Sequence, residues 1–235
     1  MKPVLVFRHI ECEGPGYLAN FLQSRGLEYR VIQIDKGEPV PATVNGAGAL
    51  VFMGGPMSVN DDLPWIEKEM QLIRQAHKEN MPVLGHCLGS QLISKALGGE
   101  VVKNKVVEIG WFPVFKTDYA RVSSWTLNLP ESFDVFHMHG EVFSVPDGAE
   151  LLLKNKHCPH QAFSIDNTLA LQFHIELTRD LIGKWLLIYR DDIARPAKSI
   201  QGKELILYDI DNRLYNMHMI ADELYTRWVE RILNR

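Results

Sequence analysis

The sequence predicts an α/β fold with a doubly wound, mostly parallel sheet, helices on both faces and a small antiparallel β section. Two observations lead to this fold class. Short apolar runs alternate with helical patterns through the first part of the chain, as they do when parallel strands are joined by helices. One run, Ala49 to Met53, contains no polar residue, which is typical of a strand covered on both faces.

The individual elements follow from apolar spacing and from residues that begin or end helices. Pro64 is expected to begin a helix, because the N–H that proline lacks would have no partner at that position. Gly98 and Gly99 are expected to end the helix before them. The predicted strands are Val4 to Phe7, Val31 to Ile34, Ala49 to Met53 and Pro82 to Leu84, and the predicted helices are Gly16 to Arg25, Pro64 through His77, and Leu88 to Leu97.

The chain after Gly99 has a different pattern. The segment from Val101 to Ile165 is rich in Val, Phe, Trp and Pro, and we predict antiparallel strands there. Leu169 to Phe173 is predicted to be a further strand. Thr178 is expected to cap a helix that continues to about Tyr189, and the tail after Glu204 to be a strand or turn and then a long helix.

The length of 235 residues is compatible with one large domain. We predict a domain over residues 1–190 and a C-terminal extension over residues 191–235 that packs on it. No apolar run approaches the length of a membrane-spanning helix. The apolar run at the N-terminus is too short for a signal peptide and is predicted to be the first strand.

Charge and cysteine content exclude several classes of function. The formal net charge is −4, and no basic cluster is present that would suit nucleic acid or an anionic membrane. Three cysteines without a C-x-x-C pair are a poor disulfide framework and favour a reducing, cytoplasmic location. No metal site is predicted, because the neighbouring histidines lack a recognised ligand spacing: they are His137, His139, His157 and His160.

The segment from Pro82 to Gln91 carries the strongest chemical signal. An apolar strand ends at Gly85, reaches Cys87, passes Gly89 and enters a helix. This is the G-x-nucleophile-x-G elbow with cysteine in place of serine. The turn places sulfur at a helix N-terminus, where the dipole and free N–H groups favour a thiolate and can hold an oxyanion. A buried, inert cysteine is the alternative.

A cysteine nucleophile needs a base, and the base needs an orienting group. His174 and Glu176 are two residues apart at the end of a predicted strand, so their side chains leave the same face. A chance polar pair is the alternative. The order nucleophile, histidine, acid differs from that of serine α/β-hydrolases, in which the acid precedes the histidine.

A glycine-rich loop follows the buried strand that ends near Met53. Gly54 and Gly55 allow backbone N–H groups to face a ligand. The N–H groups of Gly55 and Leu88 are our candidates for an oxyanion hole, and an ordinary strand-to-helix turn is the alternative.

These motifs together resemble the class I (triad) glutamine amidotransferase family, in particular stand-alone proteins similar to the amidotransferase domain of GMP synthase. The resemblance covers about residues 1–190. It is carried by G-G-P-M-S at 54–58, G-H-C-L-G-S-Q at 85–91, M-H-G at 138–140, H-I-E at 174–176, E-I-G-W at 108–111 and E-G-P-G at 13–16.

The resemblance implies a class I amidotransferase-like fold and hydrolysis of the side-chain amide of L-glutamine. Cys87 would attack the amide carbon, His174 would move the proton and Glu176 would orient His174. The oxyanion would lie at Gly55 and Leu88. The substrate-binding residues would be Gly54, Gln91, Gly140 and Glu141.

No cofactor is implied, and no phosphate-binding loop is recognised. No second domain is expected after Glu176, so ammonia would pass to a separate partner, such as a synthetase subunit. Two alternatives to glutamine hydrolysis stay open. One is a γ-glutamyl hydrolase acting on another γ-glutamyl compound, and the other is a catalytically silent regulatory homologue.

Overall fold

The computed structural model describes residues 2–195 and 197–235. Met1, in the predicted domain, and Pro196, in the predicted C-terminal extension, lie outside the described residues. The strands are β1 (Val4–Arg8), β2 (Tyr29–Gln33), β3 (Ala49–Phe52), β4 (Val83–His86), β5 (Val101–Lys116), β6 (Ser132–Phe143), β7 (Glu150–Lys154), β8 (Ala162–Ile165) and β9 (Thr168–Leu171). The α-helices are α1 (Gly16–Ser24), α2 (Pro64–Lys78), α3 (Leu88–Ala96), α4 (Arg179–Ile188), α5 (Arg190–Ile193), α6 (Lys203–Leu207) and α7 (Ile210–Leu233).

These strands form one sheet in the order β2-β1-β3-β4-β9-β8-β7-β5-β6. The first five strands in this order, β2, β1, β3, β4 and β9, are parallel to one another. The remaining strands join through antiparallel pairs. The predicted mostly parallel α/β fold with an antiparallel section is therefore confirmed.

Helices cover both faces of the parallel part, and alternate strand residues point to opposite faces. In β1, Val4 and Val6 belong to the apolar cluster that includes α1, α4 and α7. Leu5 and Phe7 belong to the cluster on the other face, with α2 and α3. Because neither face meets water, the strand needs no polar residue, which explains the uninterrupted apolar runs.

The two residues predicted to start helices are both found at helix starts. Pro64 occupies the first turn of α2, and the side chain of Thr178 accepts a hydrogen bond from the N–H of Leu181 at the start of α4. The predicted break of β4 at Gly85 is wrong, because the strand continues to His86. The predicted strand Leu169 to Phe173 is also too long, and β9 ends at Leu171.

The segment before α7 differs from the predicted strand or turn, because Lys203–Leu207 is helical. Just before this helix, Gln201 docks the segment on Trp111 of β5. The N–H of Trp111 donates to Oε1 of Gln201 at 2.9 Å, and its carbonyl accepts from Nε2 of the same residue at 2.7 Å. Gly110 has a φ of 114°, and an added Cβ would lie 2.6 Å from Gln201 Oε1. The C-terminal segment thus packs on the E-I-G-W motif of β5.

The long helix α7 buries apolar residues in the same cluster as β1 and α1, including Leu224 and Trp228. The division of the chain at residue 190 stays a prediction. No helix among the described residues is both long enough and apolar enough to span a membrane.

The approach of α3 to the sheet gives a stability prediction. A Cβ on Gly89 would lie 2.0 Å from the Phe52 carbonyl oxygen, and backbone cannot move aside cheaply. We expect Gly89→Ala to lower the free energy of unfolding by about 1–3 kcal/mol, as measured by urea denaturation. Gly183→Ala in α4 is the matched control, because an added Cβ there meets nothing within 4 Å. The control should be neutral or stabilising by up to about 1 kcal/mol, and equal losses in both variants would contradict the argument.

Candidate active site

The carboxyl ends of β3, β4 and β9 meet at one edge of the sheet, and the candidate residues follow these ends. Gly54 comes shortly after β3, Cys87 directly after β4, and His174 shortly after β9. Open α/β sheets bind ligands at the carboxyl ends of their strands. The parallel topology therefore brings together three segments that are far apart in sequence.

Cys87 occupies a sharp turn between β4 and α3. Its φ is 48° and its ψ is −108°, a conformation that is costly for a residue with a side chain. Its N–H donates to the Leu171 carbonyl at 2.8 Å, which fixes the turn against β9. An added Cβ on Gly85 would lie 2.7 Å from the Gly89 carbonyl oxygen. Both flanking glycines are therefore needed for α3 to pack this close.

Cys87 is buried, with only 6% of the residue exposed. Its thiol has two polar neighbours. Sγ lies 3.6 Å from the Met138 carbonyl oxygen. The side-chain amide of Gln172 donates toward Sγ at 3.8 Å. Gln172 is fully buried and was not predicted as a site residue. Its position within L-Q-F-H, two residues before His174, is the only signal in the sequence.

His174 and Glu176 form a buried pair. Nδ1 of His174 donates to Oε1 of Glu176 at 2.6 Å, because a carboxylate can only accept. The His174 N–H donates to the Phe136 carbonyl at 2.8 Å, and the ring of Trp185 meets the imidazole edge-on at 4.7 Å. The predicted pairing of the two side chains is observed, although both residues follow the last hydrogen-bonded strand residue.

Charges around this pair decide its protonation. Burial alone would lower the pKa of His174, but the Glu176 carboxylate and the Cys87 sulfur raise it well above 6.5. Burial alone would raise the pKa of Glu176, but His174 and then His86 lower it strongly. Nε2 of His174 is buried without a hydrogen-bond partner among the described residues. With Nδ1–H directed at Glu176, this second nitrogen is the one that the Glu176 carboxylate leaves unengaged.

Glu176 contacts a second imidazole that sequence reasoning missed. Nδ1 of His86 lies 3.1 Å from Oε2 of Glu176, and both side chains are buried. On its other side, Nε2 of His86 lies 3.4 Å from the hydroxyl of Tyr225 in α7. The sequence did contain a signal for this residue, because His86 is the variable position of the elbow between Gly85 and Cys87. The long C-terminal helix thereby reaches the surroundings of Glu176.

The N-terminal E-G-P-G motif also packs on the site. The N–H of Tyr17 donates to the Glu176 carbonyl at 2.7 Å. Gly16 has a φ of 45°, and an added Cβ would lie 2.1 Å from that carbonyl oxygen. Glu13 is buried, and burial raises the pKa of its carboxyl group. The hydroxyl of Tyr189 donates to Oε1 of Glu13 at 2.8 Å.

A cavity of about 500 Å³ opens above Cys87. Of the predicted substrate-binding residues, Gln91, Gly140 and Glu141 line it, as does Gly55 from the glycine-rich loop after β3. Gly54 and Leu88 are not among the lining residues. An added Cβ on Gly54 would lie 2.1 Å from Oε2 of Glu13 and 3.0 Å from the His174 ring, so Gly54 lies behind the site rather than in the cavity.

The two walls of the cavity are joined by a side-chain contact. The hydroxyl of Ser58, in the loop after β3, donates to Oε1 of Glu141 at 2.9 Å. One carboxylate oxygen of Glu141 is therefore already engaged. Gln91 is similarly engaged, because its amide donates to Oε1 of Gln172 at 3.3 Å.

Comparison with known proteins agrees with this architecture. The family described as glutamine amidotransferase class-I matches residues 16–188. A solved structure of a glutamine amido transferase from Methylobacillus flagellatus has a TM-score of 0.93 and 34% identity, covering 98% of this chain and 95% of that one. The putative glutamine amidotransferase-like protein YfeJ of Salmonella typhimurium is 27% identical over 223 residues, which are 92% of each chain. The chain belongs to the class I glutamine amidotransferase family.

Two further relatives match part of the chain. The GMP synthase of Thermomicrobium roseum is 33% identical over 142 residues, which are 59% of this chain and 25% of that protein. The chain thus spans about a quarter of that relative. γ-Glutamyl peptidase 4 of Arabidopsis thaliana is 27% identical over 169 residues, which are 69% of this chain and 67% of that one. The resemblance drawn from the sequence motifs is confirmed.

The His174–Glu176 pair gives a prediction for stability against pH. The pKa of Glu176 is lowered from 4.5 on folding, so its contribution is complete above pH 4.5 and is lost as pH falls. The pKa of His174 is raised from 6.5, so its contribution is complete below pH 6.5 and is lost as pH rises through the folded pKa. We expect Glu176→Gln to destabilise most between these values, by on the order of 3 kcal/mol.

Urea denaturation of both proteins at a series of pH values measures this difference. Glu67→Gln is the matched control, because Glu67 is an exposed carboxylate in α2 paired with Arg74. Its effect should stay within about 0.5 kcal/mol. A loss for Glu176→Gln that does not change with pH would contradict the assigned ion pair.

Proposed function

We propose that the protein hydrolyses the side-chain amide of L-glutamine, with Cys87 as nucleophile, His174 as proton carrier and Glu176 as the residue that orients His174. The observation that carries this proposal is the geometry at the strand ends. A cysteine with positive φ at a helix N-terminus shares a buried site with an imidazole–carboxylate pair at 2.6 Å. Each part serves a different step of acyl transfer.

In the first half-reaction, Nε2 of His174 takes the thiol proton of Cys87 as Sγ attacks the amide carbon, and the carbonyl oxygen becomes an oxyanion. Backbone N–H groups of Gly55 and Leu88 are the proposed donors to this oxyanion. The N–H of Leu88 lies in the first turn of α3, where backbone donors lack intrahelical partners. His174 then gives its proton to the leaving nitrogen, and ammonia departs from a γ-glutamyl thioester.

In the second half-reaction, water replaces ammonia. His174 takes a proton from the water, whose oxygen attacks the thioester carbon. The C–S bond breaks, glutamate is released, and the proton returns to sulfur. Glu176 holds Nδ1–H throughout, so Nε2 is the nitrogen that exchanges protons. The second imidazole of His86 on Glu176 keeps that carboxylate ionised and in place.

Substrate contacts are proposed at Gln91, Gly140 and Glu141, which line the cavity around Cys87. Gly54 is proposed to act from behind the site, by letting Glu13 and His174 pack closely. The proposed acceptor of the ammonia is a separate synthetase subunit. The similarity to a GMP synthase over 25% of that protein supports a supply of ammonia to synthetase chemistry.

The test is ammonia release from L-glutamine by the purified protein. We expect release by the wild type and a loss of at least about three orders of magnitude in Cys87→Ala, because the nucleophile is removed. The circular dichroism spectrum should be unchanged, since the substitution removes only the sulfur. No release by the wild type at millimolar glutamine, or release that persists in Cys87→Ala, would contradict the proposal.

Hydrolysis of a larger γ-glutamyl compound is the second candidate, and two observations favour it. γ-Glutamyl peptidase 4 is a relative that matches 69% of this chain. The cavity of about 500 Å³ lies in the range of sites that hold ligands larger than glutamine. The same Cys87 thioester would form, with an amine or peptide as leaving group in place of ammonia.

Comparison of kcat/KM for L-glutamine and for γ-glutamyl dipeptides separates the two candidates. We expect glutamine to be preferred by at least about tenfold. Cys87→Ala is the control for each substrate, because both reactions need the thiol. A higher kcat/KM for the dipeptides would replace the first candidate with the second.

A further inference from the structure

A second group of buried titratable side chains lies beside the cavity, on the antiparallel part of the sheet. Glu108 of β5 is paired with His139 of β6 in the strand register, and His137 lies two residues away on the same face. Nε2 of His139 is 3.1 Å from Oε2 of Glu108, and Nδ1 of His137 is 3.6 Å from the same oxygen. The three side chains are at most 1% exposed.

The other nitrogen of each ring faces a backbone carbonyl. Nε2 of His137 lies 3.2 Å from the Phe112 oxygen, and Nδ1 of His139 lies 3.0 Å from the Glu141 oxygen. A carbonyl oxygen only accepts, so these nitrogens carry the hydrogens. A neutral ring has one N–H, so Nδ1 of His137 and Nε2 of His139 then present lone pairs to one carboxylate oxygen. Metal-binding histidines are held in this way, with the second nitrogen donating to a carbonyl or carboxylate.

In this arrangement neither lone pair meets a donor, because the atom opposite each is the same carboxylate oxygen. Nδ1 of His137 is fully buried and has no hydrogen-bond partner among the described residues. It points at a carboxylate oxygen, which cannot donate to it. Buried polar atoms without partners are rare because they lose water and gain nothing in return. A cation bound to this nitrogen would satisfy it, and the carboxylate oxygen would be a second ligand.

We propose that Glu108, His137 and His139 bind a divalent metal ion, with Zn²⁺ as the best match. Two imidazole nitrogens and a carboxylate oxygen are ligands that Zn²⁺ accepts at about 2.0–2.2 Å. Ligand atoms of a tetrahedral site with such bonds are roughly 3.3–3.6 Å apart, close to the 3.1 and 3.6 Å found here. Gln161 donates to the same carboxylate at 2.9 Å, as expected of a residue that holds a metal ligand in place.

The position of the site also gives the ion a path. His139 lines the cavity that contains Cys87, so an ion can enter from the substrate side and keep its fourth position open there. Three protein ligands with one open position are typical of zinc sites that meet a ligand rather than of closed structural sites. A bound ion would fix the segment that includes Met138, whose carbonyl lies 3.6 Å from Cys87 Sγ.

The test uses the full-length protein after removal of metal with a chelator, and it does not depend on catalytic activity. Zn²⁺ is titrated in competition with a chromophoric chelator, and Co²⁺ is titrated in parallel for its visible absorption. We expect one ion per chain and a tetrahedral or five-coordinate Co²⁺ spectrum without a sulfur charge-transfer band. Cys87→Ala should bind equally well, because no thiolate belongs to the site.

Glu108→Gln and His137→Asn should each weaken binding by at least about tenfold, the cost typical even of residues outside the metal's own ligands. His160→Asn is the matched control. His160 lies in the same region, but its ring hydrogen-bonds to the Phe143 carbonyl. Circular dichroism checks that each variant is folded. Absence of stoichiometric binding by the wild type would overturn the proposal, whatever the variants do. It would also be overturned by binding that survives both substitutions, or by a sulfur band that disappears in Cys87→Ala.

Discussion

The close approach of α3 to the ends of β3 and β4 is the constraint on which the rest of the site depends. An added Cβ on Gly89 would lie 2.0 Å from the Phe52 carbonyl oxygen, so the helix touches the backbone of the sheet. The chain can enter such a helix only through a sharp turn, and Cys87 takes that turn with a φ of 48°. The strain at one residue is offset by the packing of a whole helix. In return, the sulfur is held at a helix N-terminus beside β9.

Burial of the Glu176 carboxylate is the second demand that shapes the molecule. An isolated buried carboxylate is costly, and here two imidazoles contact it, His174 at 2.6 Å and His86 at 3.1 Å. The chain around them comes from both ends of the sequence. Tyr17 binds the Glu176 backbone, and Tyr225 of α7 contacts His86. The C-terminal helix is therefore part of the environment of the His174–Glu176 pair, and not only a cover for the sheet.

The antiparallel section supplies the other wall of the cavity. Its two long strands, β5 and β6, bring Met138 and Gly140 to the cavity that contains Cys87, and they pair Glu108 with His139. The C-terminal segment then fastens β5 from outside through Gln201 and Trp111. The ends of the parallel strands and the β5–β6 pair thus line one cavity, while the C-terminal segment packs on β5.

Local patterns were sufficient for much of this protein. Apolar runs of strand length, Pro64, Thr178 and the glycines around Cys87 act within a few residues, so the fold class, the elbow and the H-x-E pair could be predicted from them. The boundaries of β4 and β9 and the helix at Lys203–Leu207 could not, because hydrogen bonds to distant strands decide them.

Long-range contacts also decided the composition of the site. His86, Gln172 and Glu13 have no distinctive spacing, and they matter because the parallel sheet brings the ends of β1, β4 and β9 together. The grouping of Glu108 with His137 and His139 depends on the register of β5 against β6, which no short motif contains. Sequence determined the sharp turn at Cys87, since a strained turn needs local glycines. Tertiary structure decided what surrounds it, since burial and charge pairing arise only when distant segments pack.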